Sequence, residues 1–265
     1  MVKGLKLFTD FFKDFQDSYI LIGGAATDIW MEEAGLPFRV TKDLDIILIL
    51  EALNQDFVRR FWEFIEEGGY KTQQKSEGKP KVYRFIKPEN SHFPFQIEIF
   101  ARKPDIFGDF NKAHLAPIPL GEELGSLSVI LMDDAYFAFT LDHSDIVDGL
   151  PLATVPALIC LKAKAFLDIK ERLEKEDRID NNEKNKLEKD LKKHRNDIIR
   201  MALILTDDDM MLLASPMRED ILGYIEATKA NPPGYKQLAK NLGVPNIDPE
   251  TIFQQLHKIF RLDEK

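Results

Sequence analysis

Residues 39–50 read RVTKDLDIILIL, and this run constrains the fold more than any other part of the chain. The five residues after Asp45 are all apolar, and β-branched residues dominate them. That pattern predicts a central strand over 40–50, buried on both faces. Asp43 and Asp45 stand at its mouth. At i and i+2 in a strand they share one face, about 7 Å apart at Cα. Two close carboxylates on a half-buried strand repel each other and are costly to desolvate. A divalent cation reverses that argument, because Mg²⁺ takes carboxylates, waters and substrate phosphates as ligands. Two such ions about 3.5–4 Å apart suit two aspartates on one strand face and a third carboxylate from a neighbouring strand. Asp-x-Asp also suits an ordinary turn at a strand start, so the pair alone leaves both readings open.

A third carboxylate is present. In FQIEIF, residues 95–100, Ile97 and Ile99 point one way and Glu98 the other. A lone carboxylate in such a strand is unusual. If this strand neighbours the first, Glu98 faces the aspartate pair. Residues 81–87 (KVYRFIK) also alternate, and the two strands are expected to pair as a hairpin or as neighbours. One more strand is expected within 125–132.

Upstream, the apolar run 19–22 ends in Gly23-Gly24, and 25–33 (AATDIWMEE) reads as a helix stopped by GLP at 35–37. Glycines between a strand and a helix let backbone N–H groups approach an anion, with the helix dipole in support. Structural Gly-Gly turns outnumber phosphate cradles. The order gives this one its interest: strand, Gly-Gly, helix, loop, then the strand with Asp-x-Asp. It puts glycines and carboxylates at one end of neighbouring strands, where ligands of α/β sheets bind.

Ile22-Gly23-Gly24, Arg39-x-Thr41-x-Asp43-Leu-Asp45 and the later Glu98 together resemble the nucleotidyltransferase superfamily of the DNA polymerase β type. The Arg-x-Thr-x-Asp-x-Asp form is most similar to its toxin-like, AbiEii-related branch. The resemblance covers roughly residues 19–100 by motif. It implies a mixed-sheet core in which Gly23, Gly24 and Thr41 bind a nucleoside triphosphate. Asp43, Asp45 and Glu98 would be the catalytic residues and the ligands of two Mg²⁺, with Mn²⁺ as a substitute. Eighteen residues separate Gly24 from Asp43, longer than the family's usual interval, with the excess in MEEAGLPF.

The pattern changes near Pro151. Before it, 6–15 and 56–67 read as amphipathic helices among the strands. After it, helices are expected over 156–173, 185–205, 216–230 and 249–261. The expected fold is thus α/β (α+β): a catalytic domain over 1–150 and a helical domain over 151–265. Lys162 falls on the apolar stripe of Leu158, Ala165 and Ile169, and needs a partner or a route to water. It either snorkels or reaches into a cleft between domains to pair with phosphate. Lys164, about 200° round the helix, is expected in solvent. The resemblance matches Lys162 and Asp197 to a lysine–aspartate pair on C-terminal helices, implying nucleotide binding, with Asp197 orienting Lys162 or touching substrate. His194 reads as a helix-surface residue or a substrate contact. Lys184, Lys186, Lys189, Lys192, Lys193 and Arg195 form a candidate basic face for RNA, diluted by interspersed acids. Arg39 and Arg84 are candidates to contact phosphate or to brace the site.

Composition limits the function classes. The net charge of −9 argues against coating nucleic acid through a global field. No apolar run approaches the roughly 18 residues of a membrane span. The N-terminal MVKGLKLFTDFFKDF is broken by charges, unlike a signal peptide. The single Cys160 excludes an internal disulfide, lies in an apolar helical pattern, and fits a reducing cytoplasm. The expected activity is Mg²⁺-dependent transfer of a nucleotide from an NTP to an acceptor hydroxyl on RNA, protein or a small molecule. The alternative is a non-catalytic nucleotide-binding module, or a toxin–antitoxin interaction module with an antitoxin-like protein partner.

Overall fold

The computed structural model describes residues 2–49, 52, 55–72, 84–102, 115–117, 128–175 and 179–264. Contacts divide the chain into two units: Met1–Ile29 with Arg39–Thr154, and Trp30–Phe38 with Val155–Lys265. The segment 30–38, which the sequence reading placed in the first domain, belongs to the second.

The first unit is built on a mixed sheet. Its strands are β1 (Tyr19–Ile22), β2 (Asp43–Leu48), β3 (Lys71–Thr72), β4 (Arg84–Ile86), β5 (Gln96–Arg102), β6 (Leu115–Pro117), β7 (Ser128–Met132), β8 (Ser144–Val147) and β9 (Leu150–Ala153). The order is β3-β4-β5-β2-β1-β9-β8. β7 lies beside the far half of β5 and carries β6. β2/β5, β1/β9 and β5/β7 are parallel, and the other pairs antiparallel. An α/β architecture with a mixed sheet is therefore present. The expected pairing of 81–87 with 95–100 appears as antiparallel β4/β5. Residues 81–83 and 125–127 of the predicted strands lie outside the described residues.

One sheet face is sealed by α1 (Leu5–Phe11) and α3 (Gln55–Gly68). α3 buries Phe57, Val58, Phe61, Phe64 and Ile65, spaced at helical period, as its amphipathic pattern predicts. Phe8 packs edge-on against Tyr19 at 5.3 Å and Phe64 at 5.5 Å, and Phe61 against Phe85 at 5.5 Å. Leu44, Ile46 and Leu48 of β2 and Ile97 and Ile99 of β5 face the same way, all fully buried. Alternation then turns Asp43, Asp45 and Glu98 to the opposite face. α1 is shorter than predicted: it ends at Phe11, and residues 16–18 form a separate 3₁₀ turn. β2 is also shorter. Val40 is 83% exposed, so the chain joins the sheet only at Asp43.

α2 (Gly23–Glu33) follows β1 directly, and α4 (Asp134–Asp142) precedes the β8/β9 hairpin. The second unit contains α5 (Val155–Lys175), α6 (Asn181–Ala202), α7 (Ser215–Ala230), α8 (Tyr235–Leu242) and α9 (Pro249–Ile259). Asp180 caps α6 by accepting from the N–H groups of Asn182 (2.8 Å) and Glu183 (3.0 Å). Asp248 caps α9 by accepting from the Thr251 N–H (3.0 Å) and hydroxyl (2.6 Å), which hold its carboxyl below the usual range. Arg172 of α5 bridges Glu183 of α6 at 2.6 Å. Phe166 packs edge-on against Tyr224, whose hydroxyl donates to the Arg195 carbonyl at 2.9 Å.

Cys160 is fully buried in α5, and burial pushes its thiol pKa up. Both effects suppress the thiolate. The native protein is expected to resist Ellman's reagent at pH 8 and to release one equivalent of thiol once denatured. Rapid titration of the native protein would contradict this burial.

Candidate functional site

β2 and β5 run parallel with Asp43 opposite Gln96 and Asp45 opposite Glu98. Register partners on adjacent strands share a face. Asp43, Asp45 and Glu98 therefore form an acidic patch on the half-buried face, while Leu44 and Ile97 between them point into the core. β5 is flanked on its other side by β4, where Arg84 is the register partner of Glu98. The Arg84 Nε is in ion-pair contact with the Glu98 carboxylate, and the two side chains are 27% and 14% exposed. Glu98 thus lies between a carboxylate on one neighbouring strand and a guanidinium on the other.

The glycines complete this end of the sheet. β1 runs antiparallel to β2 with Ile22 opposite Asp45, so the chain enters Gly23 beside the carboxylates. Gly23 has φ +69°, and a Cβ there would sit 2.1 Å from Asp45 Oδ2. A side chain is excluded by both backbone and space. A Cβ on Gly24 would sit 2.6 Å from the Thr41 hydroxyl oxygen and 3.3 Å from an Arg39 terminal guanidinium nitrogen. The first turn of α2 is thus bordered by the Asp45 carboxylate at Gly23, and by a hydroxyl and a guanidinium at Gly24. Backbone N–H groups, a hydroxyl and a guanidinium are phosphate-binding chemistry.

Gly23→Ala is expected to lower stability by about 1–2 kcal/mol through the positive φ, and to push the Asp45 carboxylate aside. Thermal denaturation measures the first effect and nucleotide binding the second. A variant indistinguishable from wild type in both would contradict the close approach.

Within the second unit, Lys162 and Asp197 are brought together. Lys162 Nζ donates to Asp197 Oδ2 at 3.1 Å, and an Arg200 terminal nitrogen contacts Asp197 Oδ1 at 3.0 Å. Lys162 is 5% exposed and Asp197 0%. The Arg200 guanidinium also lies 5.9 Å from the Phe38 ring centre. Of the readings open to Lys162, an amine fixed by Asp197 is the observed arrangement. Arg200 escaped the sequence reading, although its i+3 spacing from Asp197 on a helix was the signal. Lys164 pairs with Asp168 on the partly exposed side of α5. His194 is half-buried on α6. Lys184, Lys186, Lys189 and Lys192 are exposed, Lys193 half-buried. Arg195 instead donates to the Asn231 carbonyl at 2.7 Å, and desolvation lowers its pKa.

Carboxylates on rigid strands are the donor type that a hard divalent ion takes. Among the described residues, no group of three Asp, Glu, His or Cys side chains is placed so as to hold a metal ion. Within the same residues, no helix is long and apolar enough to cross a membrane. No protein-family model and no curated protein matches this chain.

Proposed function

We propose that the chain is a divalent-metal-dependent nucleotidyltransferase, moving a nucleoside monophosphate from an NTP to an acceptor hydroxyl and releasing pyrophosphate. One observation carries this reading: Gly23 stands bare against Asp45, whose register partner is Glu98. A glycine turn and an acidic patch are thereby joined at one sheet end.

On this reading Gly23 and Gly24 offer backbone N–H groups to the triphosphate, with the Thr41 hydroxyl and Arg39 beside them. Asp43, Asp45 and Glu98 would hold Mg²⁺. When bound, the metal would supply Lewis-acid stabilisation of the charge developing on the phosphates. The acceptor oxygen attacks the α-phosphorus in line, and the bond to the β-phosphate oxygen breaks. Glu98 helps to activate the acceptor hydroxyl. RNA ends, protein hydroxyls and small alcohols are all acceptable as acceptors.

The test is transfer of label from α-labelled NTP mixtures, with Mg²⁺ or Mn²⁺, by wild type and by Asp45→Asn. The ion pair of Arg84 with Glu98 favours a second reading, a nucleotide-binding or toxin–antitoxin module without turnover. Calorimetry separates the two. NTP binding without transfer, undamaged by Asp45→Asn, supports the module.

A further inference from the structure

Glu98 has two neighbours of opposite charge. Across one strand gap is Asp45 and across the other is Arg84, each its direct register partner. Adjacent strands are about 4.8 Å apart, so the carboxylate can serve either side after a small side-chain rotation. In this structure it pairs with Arg84. Resting on the nucleotidyltransferase reading, we propose that Arg84 is a built-in competitor for the third carboxylate. It neutralises Glu98 in the metal-free protein and must yield it for full metal binding.

Glu98 stands across one strand gap from Asp45, with Asp43 on the same face. Without a cation their repulsion is considerable on a partly desolvated surface. Arg84 supplies a positive charge from the rigid adjacent strand, and so offsets that repulsion with little cost in ordering. A guanidinium spreads one charge over a plane, whereas a divalent ion concentrates two charges and draws several oxygens into one shell. The divalent ion should therefore win Glu98, but only against the free energy of the existing pair. Arg84 consequently weakens metal affinity in the absence of nucleotide, and helps to keep the apo site in order. It acts through Glu98 and is a positioning residue.

The experiment is a Mn²⁺ titration of the full chain without nucleotide, with free Mn²⁺ read by electron paramagnetic resonance. Arg84→Met keeps the aliphatic stem, and Arg84→Gln provides a second variant should the first misfold. The expected result is binding about tenfold tighter than wild type. Introducing Glu98→Gln into the Arg84→Met background should abolish the gain. Unchanged or weaker binding, or a gain that persists with Glu98→Gln, overturns the proposal. Mn²⁺ binding that is lost in Asp45→Asn but indifferent to Arg84 overturns this inference and leaves the metal-site reading standing. Absence of binding in every variant overturns both.

Discussion

Asp45→Asn is expected to reduce nucleotide transfer about a thousandfold while the chain stays folded. Asparagine keeps the size and one acceptor oxygen of aspartate but removes the charge. Asp45 is the register partner of the carboxylate-bearing Glu98, and its Oδ2 lies in the space that Gly23 leaves open. Loss of a carboxylate from an acidic patch relieves its repulsion with Asp43 and Glu98, so the variant should remain folded without metal. A fall in activity with the fold retained distinguishes a functional carboxylate from a structural one. Activity within a few-fold of wild type would remove Asp45 from any metal-binding role.

The second large effect is in the second unit and concerns stability. Asp197→Ala is expected to cost about 3–5 kcal/mol, because it removes the carboxylate touched by two buried cations. Lys162 and Arg200 would keep their charges in an environment that gives them little water. Urea denaturation followed by helical circular dichroism reads this directly, since the unit is helical. Replacing the cluster together, with Asp197→Leu, Lys162→Met and Arg200→Met, should recover much of the loss. A buried charge network exchanged for apolar groups of similar volume is often neutral or stabilising. A cost no greater than that of a surface substitution, about 0.5 kcal/mol, would contradict a buried charge cluster held by Asp197.

The parts of the fold visible in the sequence were those with strong periodicity. α3 and α5 followed from their apolar stripes, and β1 and β2 from unbroken apolar runs. β2 was overextended because Val40 is apolar, yet its side chain lies in solvent; hydrophobicity at the end of a run does not report pairing. The β8/β9 hairpin was missed. Its turn residues, Asp148 (φ 49°) and Gly149 (φ 79°), carry the Asp-Gly hairpin signal, but the flanking strands are only four residues each. The assignment of residues 30–38 to the second unit could not be read locally, because it depends on tertiary contacts. In the candidate site, alternation alone predicted that Glu98 opposes its apolar neighbours. The parallel register with Asp45 and the pairing with Arg84 depend on strand order, which one sequence does not encode in any short window. Arg39 and Thr41 were visible as a motif, but their closeness to Gly24 required the fold.

On the proposed function, Gly23-Gly24 and the Asp43–Asp45–Glu98 face form one nucleotide–metal site. A crystal structure with Mn²⁺ and a non-hydrolysable NTP, using Mn²⁺ anomalous scattering, tests it most directly. Anomalous density is expected at the Asp43 and Asp45 carboxylates and triphosphate oxygens over the first turn of α2, with Glu98 turned from Arg84 toward the metal. Nucleotide bound elsewhere, or manganese density remote from Asp43 and Asp45, would contradict it.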